Sequence, residues 1–259
     1  MSKKTGLVWA LFAILSVIAT ALIFLPASWL ALLLEKQTEG RLSLGDVQGS
    51  FWRGSAFIGG ASGSSGPVTP LFPGRFSWHI SPIVLLGQID VKLENSKVLS
   101  QPLKLTGNLS QWHLAAASMF LPPERLEALG APLNTVGPTG QLRLNWNAME
   151  FTRYADKVDV TGTMQLSLND MASRLSSIKP LGSYQLSFDW RGQNADIILT
   201  TNKGPMMLSG NGSINSGRFQ FSGKAFAEVG QEERLANLLN LLGQRRRDGD
   251  KDVIALEFK

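Results

Sequence analysis

The sequence predicts a mainly β protein, in which an N-terminal single-pass transmembrane helix precedes a largely antiparallel, curved β-sheet domain with two short helical insertions. Three observations indicate this fold class. The twenty residues from Gly6 to Leu25 carry no charge. From Leu42 onward apolar side chains recur with a period of two, which is typical of strands with one dry face. Short segments rich in Gly and Asn separate these runs, as in an antiparallel meander.

The uncharged run is long enough to cross a membrane. As a helix it would be about 30 Å long, which matches the hydrocarbon core of a bilayer. Lys3 and Lys4 precede it, and no basic residue follows until Lys36, so the positive-inside rule places the N-terminus in the cytoplasm. We therefore expect residues 1–5 to be a cytoplasmic tip, Gly6 and Leu25 to bound a membrane anchor, and residues 42–259 to form a periplasmic β-rich domain on a bacterial inner membrane.

A cleaved signal peptide is the alternative for the same segment. Ala19-Thr20-Ala21 matches the small-residue pattern of a cleavage site. The apolar run continues past it to Leu25, however, and is longer than the roughly 7–15 residues of a signal h-region. Pro26 and Trp29 favour the retained anchor, because tryptophan is enriched at the level of the lipid headgroups.

Residues 26–41 are predicted to form a juxtamembrane helix that Gly40 ends. This helix lies either along the membrane interface or against the domain that follows, and its leucine-rich sequence suits both positions equally.

The clearest strand alternation runs from Tyr184 to Phe226. In its first strand we expect four apolar side chains on the dry face of the sheet, namely Tyr184, Leu186, Phe188 and Trp190. The intervening polar residues then face water. A last strand is predicted over residues 253–258.

Two segments break the period of two and are predicted to be helical. Residues 109–129 have the composition of two short helices, divided at Pro122 and Pro123 because proline cannot continue a helix. In residues 231–242 four leucines recur at helical spacing and form one apolar stripe, namely Leu235, Leu238, Leu239 and Leu242.

Composition excludes several classes of function. Of 25 Lys and Arg residues, 23 follow the anchor, against 20 Asp and Glu residues, which leaves a mild balance of +3. This charge gives no reason to expect a nucleic-acid partner. The chain has no cysteine, so the domain is stabilised by burial and strand pairing without disulfides.

The sequence contains little that supports catalysis. Its two histidines are His79, in an alternating strand, and His113, in a predicted helix, and both are best explained as structural. Ser176 and Lys179 match a Ser-x-x-Lys pattern but lack its companion motifs. Residues 248–252 have the carboxylate spacing that opens a calcium loop, with the glycine in the wrong place. We therefore predict that the protein is not an enzyme and uses no cofactor or metal.

Trp52 and Arg53 are the candidate residues for a contact with a partner. They are bracketed by Gly49 and Gly54, which predicts a bend that presents an aromatic face and a cation, both favoured at interface hot spots. The alternative is that Trp52 packs in the core while Arg53 is solvated.

Three segments together resemble a known family. They are the anchor that runs into residues 25–30, residues 47–56 with the motif Gly49-Ser50-Phe51-Trp52-Arg53-Gly54, and the ending at residues 238–243, Leu238-Leu239-Asn240-Leu241-Leu242-Gly243, followed by a charged turn and the strand at 253–258. In this order, in a chain of this length, they resemble the type II secretion system protein N family, also called general secretion pathway protein N. The resemblance covers essentially the whole chain.

The resemblance implies a single-pass inner-membrane protein that faces the periplasm. It implies an accessory, non-enzymatic component of the machine that exports folded proteins through an outer-membrane secretin, with other type II secretion components and membrane lipids as partners, and without a nucleic acid or a small-molecule substrate. The β-rich part is also similar to lipid-handling AsmA-type domains, whose curved sheets form an apolar groove.

Two functions are therefore expected as alternatives, a scaffold that acts by protein–protein contacts and a periplasmic lipid-binding or lipid-transfer module. They differ in what covers the dry face of the sheet. If the two helical segments fill that face, no room remains for acyl chains, whereas an open groove favours lipid.

Overall fold

The computed structural model describes residues 3–60, 69–125, 133–155, 157–248 and 251–258. The α-helices described there are α1 (Lys3–Ile23), α2 (Ser28–Gln37), α3 (Leu133–Val136) and α4 (Glu232–Leu242). A 3-10 turn spans Pro82–Leu86. Helix α2 ends where Glu39 and Gly40 take left-handed φ angles of +53° and +77°, a conformation that stops a helix.

The strands alternate with short turns along the chain. They are β1 (Leu42–Gly49), β2 (Arg53–Gly60), β3 (Thr69–Pro70), β4 (Phe76–Ile80), β5 (Gln88–Glu94), β6 (Leu103–Asn108), β7 (Gln111–Leu114), β8 (Ala117–Leu121), β9 (Pro138–Trp146), β10 (Met149–Tyr154), β11 (Lys157–Ser173), β12 (Gly182–Gly192), β13 (Asn194–Lys203), β14 (Met206–Asn215), β15 (Arg218–Ala227), β16 (Gln244–Asp248) and β17 (Lys251–Phe258).

The 17 described strands form one sheet in which every pairing is antiparallel. Neighbours in sequence are mostly neighbours in the sheet, so the chain meanders from β1 to β15. Strand β7 pairs with β10, and β8 pairs with β9. Both β9 and β10 pair with the same side of the 17-residue strand β11, at different positions along it. After α4 the chain returns through β16 to β17, which pairs with β15. The predicted antiparallel, mainly β fold class is confirmed.

One face of the sheet is apolar along the whole meander. The register places Ala56 opposite Phe76, Trp78 opposite Leu93, and Phe188 opposite Ile197. Further apolar pairs across neighbouring strands continue this face, namely Val91 with Leu105, Leu105 with Leu114, Phe151 with Val160, Leu166 with Leu186, and Ala225 with Ile254. Because side chains alternate between the two faces of a strand, one register keeps all of them on the dry face.

Two clusters of buried side chains fill this dry face. The first lies under α4, where Leu235, Leu238 and Leu239 contact side chains of the last strands together with Tyr184. The second cluster contains Phe76, at the start of β4, together with Trp146 and Met149 from the middle of the sheet. The sheet is therefore curved, because residues from distant strands share one core. Of the four predicted dry-face side chains on β12, Tyr184 is buried, and Leu186, Phe188 and Trp190 are half-buried.

The prediction of helices in residues 109–129 is wrong for residues 109–121. These residues form β7 and β8 instead, and only residues 123–125 make a short 3-10 turn. Trp112 stacks on Phe151 of β10 with ring centroids 5.9 Å apart, and Trp146 Nε1 donates to the Ala115 carbonyl over 3.0 Å. These contacts with distant strands override the helix preference of the alanines. Residues 126–129 lie outside the described residues. The predicted helix over residues 231–242 is confirmed by α4.

Helix α1 contains the uncharged run of the N-terminus from Gly6 as far as Ile23. Its described side chains, from Trp9 and from residue 11 onward, are exposed along the helix. In the part of the chain that the structure describes, no helix has both the length and the apolar character that crossing a membrane requires.

Candidate functional site at the corner between helix α1 and the sheet

The turn between β1 and β2 forms a tight corner. Ser50 N–H donates to the Arg53 carbonyl over 2.8 Å, and Arg53 N–H donates to Ser50 Oγ over 3.1 Å. Gly49 has a φ of +89°, and a Cβ at this position would lie 2.4 Å from the Arg53 carbonyl oxygen. A Cβ at Gly54 would lie 2.4 Å from Trp78 Cζ2. The two glycines are therefore required by a positive φ and by close packing.

The corner is tied to the end of α1 by hydrogen bonds. Phe51 N–H donates to the Leu25 carbonyl over 2.8 Å. Trp52 Nε1 donates over 2.7 Å to the Leu22 carbonyl, which belongs to the last turn of α1 and otherwise accepts only a long hydrogen bond of 3.5 Å from the Leu25 N–H. Ile80 N–H donates to the Trp52 carbonyl over 2.7 Å. The corner thus joins the helix, the first hairpin and the end of β4.

Trp52 and Arg53 have different environments within this corner. Trp52 is half-buried, and its ring packs edge-on against Phe51 with centroids 5.2 Å apart. It lies against the end of α1 and not in either of the two buried clusters. Arg53 is exposed, and among the described residues its guanidinium makes no ion pair. The corner therefore presents a cation beside a fixed aromatic side chain.

A polar clamp beside the corner was not expected from the sequence. Arg75 Nη1 pairs with the Asp46 carboxylate, while Arg75 Nη2 donates to the Asp46 carbonyl over 2.6 Å and to the Ser55 carbonyl over 3.1 Å. Hydrogen bonds from Gln48, and then from Arg75, hold the pKa of Asp46 below its ordinary value. Asp46 and Arg75 are 29 residues apart, so no local pattern predicts their contact.

An apolar cleft of about 370 Å³ lies between α2 and the dry face of the first strands. From α2 it is lined by Leu30, Leu33, Leu34 and Gln37, and from the sheet by Leu44, Ala56, Ile58, Phe76, Trp78, Ile80 and Leu93. Trp78 links the cleft to the corner, because its Nε1 donates to the Phe51 carbonyl over 3.0 Å. The sequence predicted the dry face and the helix but not the cleft between them.

The residues considered for catalysis are not brought together. His79 is paired with Arg53 in the ladder between β2 and β4. His113 lies on β7, where a helix was expected, with its Nδ1 3.6 Å from Glu150 Oε1. Ser176 Oγ accepts the backbone N–H of Ile178 over 3.0 Å. Among the described residues no group of three or more His, Cys, Asp or Glu side chains could hold a metal ion.

These features define a class of protein: a single curved antiparallel sheet with an apolar inner face, fastened at one corner to an N-terminal apolar helix. A family model for the type II secretion system (T2SS), protein N, matches residues 40–253. The chain therefore belongs to the type II secretion system protein N family. Neither the curated proteins nor the solved structures that were searched gave a match.

The family is an accessory component of type II secretion and is not a known class of enzyme. Membership implies association with the cell envelope and interaction with other components of the secretion system.

Proposed function

We propose that this protein is an inner-membrane accessory component of the type II secretion system that supports the export of folded proteins across the outer membrane through protein–protein contacts. The observation that carries the proposal is the corner, where Trp52 is hydrogen-bonded to the end of α1 and Arg53 is left exposed. The proposed role uses no catalytic residue, cofactor, metal, nucleic acid or small-molecule substrate.

We propose a single-pass topology for this role. Residues 1–5 are cytoplasmic, residues 6–25 span the membrane, residues 26–41 are juxtamembrane and residues 42–259 are periplasmic. The uncharged sequence from Gly6 to Leu25 and its two leading lysines support this arrangement. The outer side of α2, where Trp29 and Leu32 are exposed, suits a position at the membrane interface.

Arg53 is the proposed contact with another envelope component. Trp52 is already fixed and so loses little conformational freedom when a partner binds, and Arg and Trp are enriched at interface hot spots. Trp52 orients the corner through the Leu22 carbonyl, so it acts as a positioning residue for Arg53. The contact would lie close to the membrane, where α1 meets the sheet.

Charge reversal at Arg53 tests this proposal. In membranes that contain the secretion components, Arg53→Glu should reduce the amount of those components that co-purifies with the detergent-solubilised protein. Membrane level and thermal stability should stay unchanged, because the side chain is exposed. Arg218→Glu, an exposed arginine at the first position of β15, is the matched control and should leave co-purification unchanged.

Two outcomes would contradict the contact. The first is unchanged co-purification for Arg53→Glu at normal protein level. The second is a loss of abundance for Arg53→Glu as large as that for Trp52→Ala, which would make the segment structural.

The apolar cleft supports a second candidate function, a periplasmic lipid-binding or lipid-transfer module. Its lining is apolar except for Gln37, and one lining residue, Leu33, is 50% exposed. Sites that bury apolar ligands have such linings. α4 packs on the dry face at the far end of the meander and contributes no residue to the lining of this cleft.

Lipid analysis of the purified chain tests the second candidate. If the cleft holds an acyl chain, phospholipid should co-purify with the protein, and Leu33→Glu, which places a charge at the lining, should reduce the bound amount. Leu32→Glu is the matched control, because Leu32 is exposed on the same helix and does not line the cleft. Equal phospholipid content in the two variants would exclude the cleft as the site.

A further inference from the structure

The end of α1 lies at one edge of the sheet, and by edge we mean the side formed by the turns at one end of the strands. The turn from Ser50 to Trp52 lies there, since Gly49 pairs with Gly54 at the end of the first hairpin. β4 reaches the same edge, because Ile80 N–H donates to the Trp52 carbonyl. The chain then continues directly into the 3-10 turn Pro82–Leu86. This turn therefore lies on the edge from which α1 departs.

The next two turns of the meander lie on the same edge. Gln88 at the start of β5 pairs with Asn108 at the end of β6, so the turn at residues 108–110 is beside the 3-10 turn. A Cβ added at Gly87 would lie 3.6 Å from Leu109 Cδ1, which shows how close the two turns are. Arg153 N–H donates to the Ser110 carbonyl over 2.7 Å and so places the end of β10, with Tyr154, next in line.

These turns carry exposed apolar side chains, although turns at a protein surface are usually polar. We call this group of exposed apolar side chains the docking edge. It consists of Ile83, Leu85, Leu86, Leu109 and Tyr154. Leu86 is 82% exposed and Leu109 is 59% exposed. Neighbouring apolar side chains that remain exposed together indicate an interaction surface.

We propose that the docking edge inserts into the headgroup and upper acyl region of the same phospholipid bilayer that α1 enters. The inference rests on the proposed function, since it takes α1 as the membrane anchor. Continuity favours the bilayer over a protein partner, because the edge is linked to the last turn of α1 through Trp52 and so lies where the bilayer surface would be. Leucine and tyrosine on short turns suit shallow insertion.

The charged side chains on this edge do not by themselves indicate a partner. Arg53, Arg153 and Lys157 are exposed there, and so is Asp90, so both signs are present. The cations suit anionic headgroups, but the apolar side chains at the tips of the turns decide the partner. Two attachments, α1 and the docking edge, would fix the orientation of the sheet relative to the membrane, which one helix alone does not do.

The absence of cysteine allows a direct test on the full chain. Single-cysteine variants Leu86→Cys and Leu109→Cys are labelled with an environment-sensitive fluorophore. They are reconstituted in vesicles of phosphatidylethanolamine and phosphatidylglycerol that contain nitroxide on the acyl chains. We expect blue-shifted emission and strong quenching by the nitroxide at both positions. Val229→Cys is the matched control, since Val229 is 85% exposed on the opposite edge, and it should be neither shifted nor quenched.

A variant series links the effect to the docking edge itself. With the label at Tyr154→Cys, the change Leu86→Glu should reduce the quenching, because a charge resists insertion into the bilayer. Val229→Glu should leave the quenching unchanged. Labels at Leu86 and Leu109 that remain unquenched would overturn the proposal. Labels that are shielded from iodide in water but not quenched by the lipid nitroxide would also overturn it, in favour of a protein contact.

A label at Val17→Cys in α1 separates this inference from the proposed anchoring. Strong quenching at Val17 with none at Leu86 and Leu109 would leave the anchor in place and overturn the docking edge. No quenching at Val17 would contradict the anchor, and the docking edge as proposed would fail with it.

Discussion

At the scale of single residues, the tight corner between α1 and the sheet requires a glycine at position 54, because a larger side chain would collide with neighbouring atoms. Gly54 is enclosed on three sides, because a Cβ there would lie 2.4 Å from Trp78 Cζ2, 2.7 Å from the Gln48 carbonyl and 2.9 Å from the Ser50 carbonyl. Two of these neighbours are backbone atoms of the corner and cannot move independently. Gly45, on the neighbouring strand β1, has no heavy atom within 4 Å of its Cβ position.

This difference gives a prediction for a matched pair of alanine variants. Gly54→Ala should lower the free energy of unfolding by about 1–3 kcal/mol, as overpacking does, whereas Gly45→Ala should stay within about 0.5 kcal/mol. Denaturation of the two variants, followed by tryptophan fluorescence, measures both values. Similar stabilities would mean that the corner is looser than its hydrogen bonds indicate.

The carboxyl of Asp46 permits a prediction about pH. A hydrogen bond from Gln48, and then the interaction with Arg75, hold its pKa below the ordinary value of 3.8. Since the folded pKa is depressed, Asp46 contributes stability above its unfolded pKa of about 3.9, and this contribution is lost as pH falls through the folded pKa. Gln48→Ala should therefore raise the pKa of Asp46.

A carboxyl-detected NMR titration of the Gln48→Ala variant measures this shift. Asp170 is the internal control, because Lys203, with Nζ 2.9 Å from Asp170 Oδ1, holds its pKa low independently. A change at Asp170 as large as that at Asp46 would indicate a general effect of the substitution and not the loss of one hydrogen bond.

At the scale of elements, the alternation of the strands decides which side chains are buried. β13 offers the sharpest comparison, because Ile197 is 1% exposed and the next residue, Ile198, is 54% exposed. The same residue type stands in the same strand with opposite burial. Ile197 lies opposite Phe188 on the dry face, and Ile198 points to the other face.

Alanine variants at these two positions test the assignment of the faces. Ile197→Ala should lower the free energy of unfolding by about 2–5 kcal/mol, since it removes fully buried methylene groups and leaves a cavity. Ile198→Ala should change it by less than about 0.5 kcal/mol. Chemical denaturation of both variants is the measurement, and equal losses would show that both faces of β13 are buried in solution.

The strands and α4 could be predicted from local patterns, but β7 and β8 could not. The alternation in β12 and the leucine spacing in α4 are properties of a few consecutive residues. In residues 111–121 a run of alanines favours a helix locally. Pairing of β7 with β10, and of β8 with β9, favours a strand instead. Such pairing involves partners far along the chain, so a local pattern does not contain it.

At the scale of the whole molecule, the proposed anchor sets the position of everything else. α2 begins beside the corner, where the Ala27 N–H donates to the Gly49 carbonyl over 3.3 Å. It runs back along β1 and so covers the first strand of the sheet from the dry side. In the proposed topology, residues 25–27 are therefore hydrogen-bonded to the first hairpin directly after the anchor, and only α2 and a short turn separate them from β1.

Fusions to alkaline phosphatase test the proposed topology. The enzyme is active only in the periplasm, so a fusion after Gly40 should be active, and a fusion after Lys4 should be inactive as the control. An inactive fusion after Gly40 would contradict the topology. N-terminal sequencing of the full chain should find the intact start, and a mature chain that begins near Leu22 would contradict the retained anchor.

The sequence alone determined the period of two, the leucine stripe of α4, the uncharged run at the N-terminus and the two glycines of the corner, because each depends on residues close together in the chain. The tertiary structure decided that residues 111–121 are strands, that Arg75 reaches Asp46, that a cleft opens under α2, and that apolar turns share an edge with α1. Each of these depends on which distant strands become neighbours. A two-residue period specifies which face of a strand is dry, but it does not specify which partner the strand pairs with.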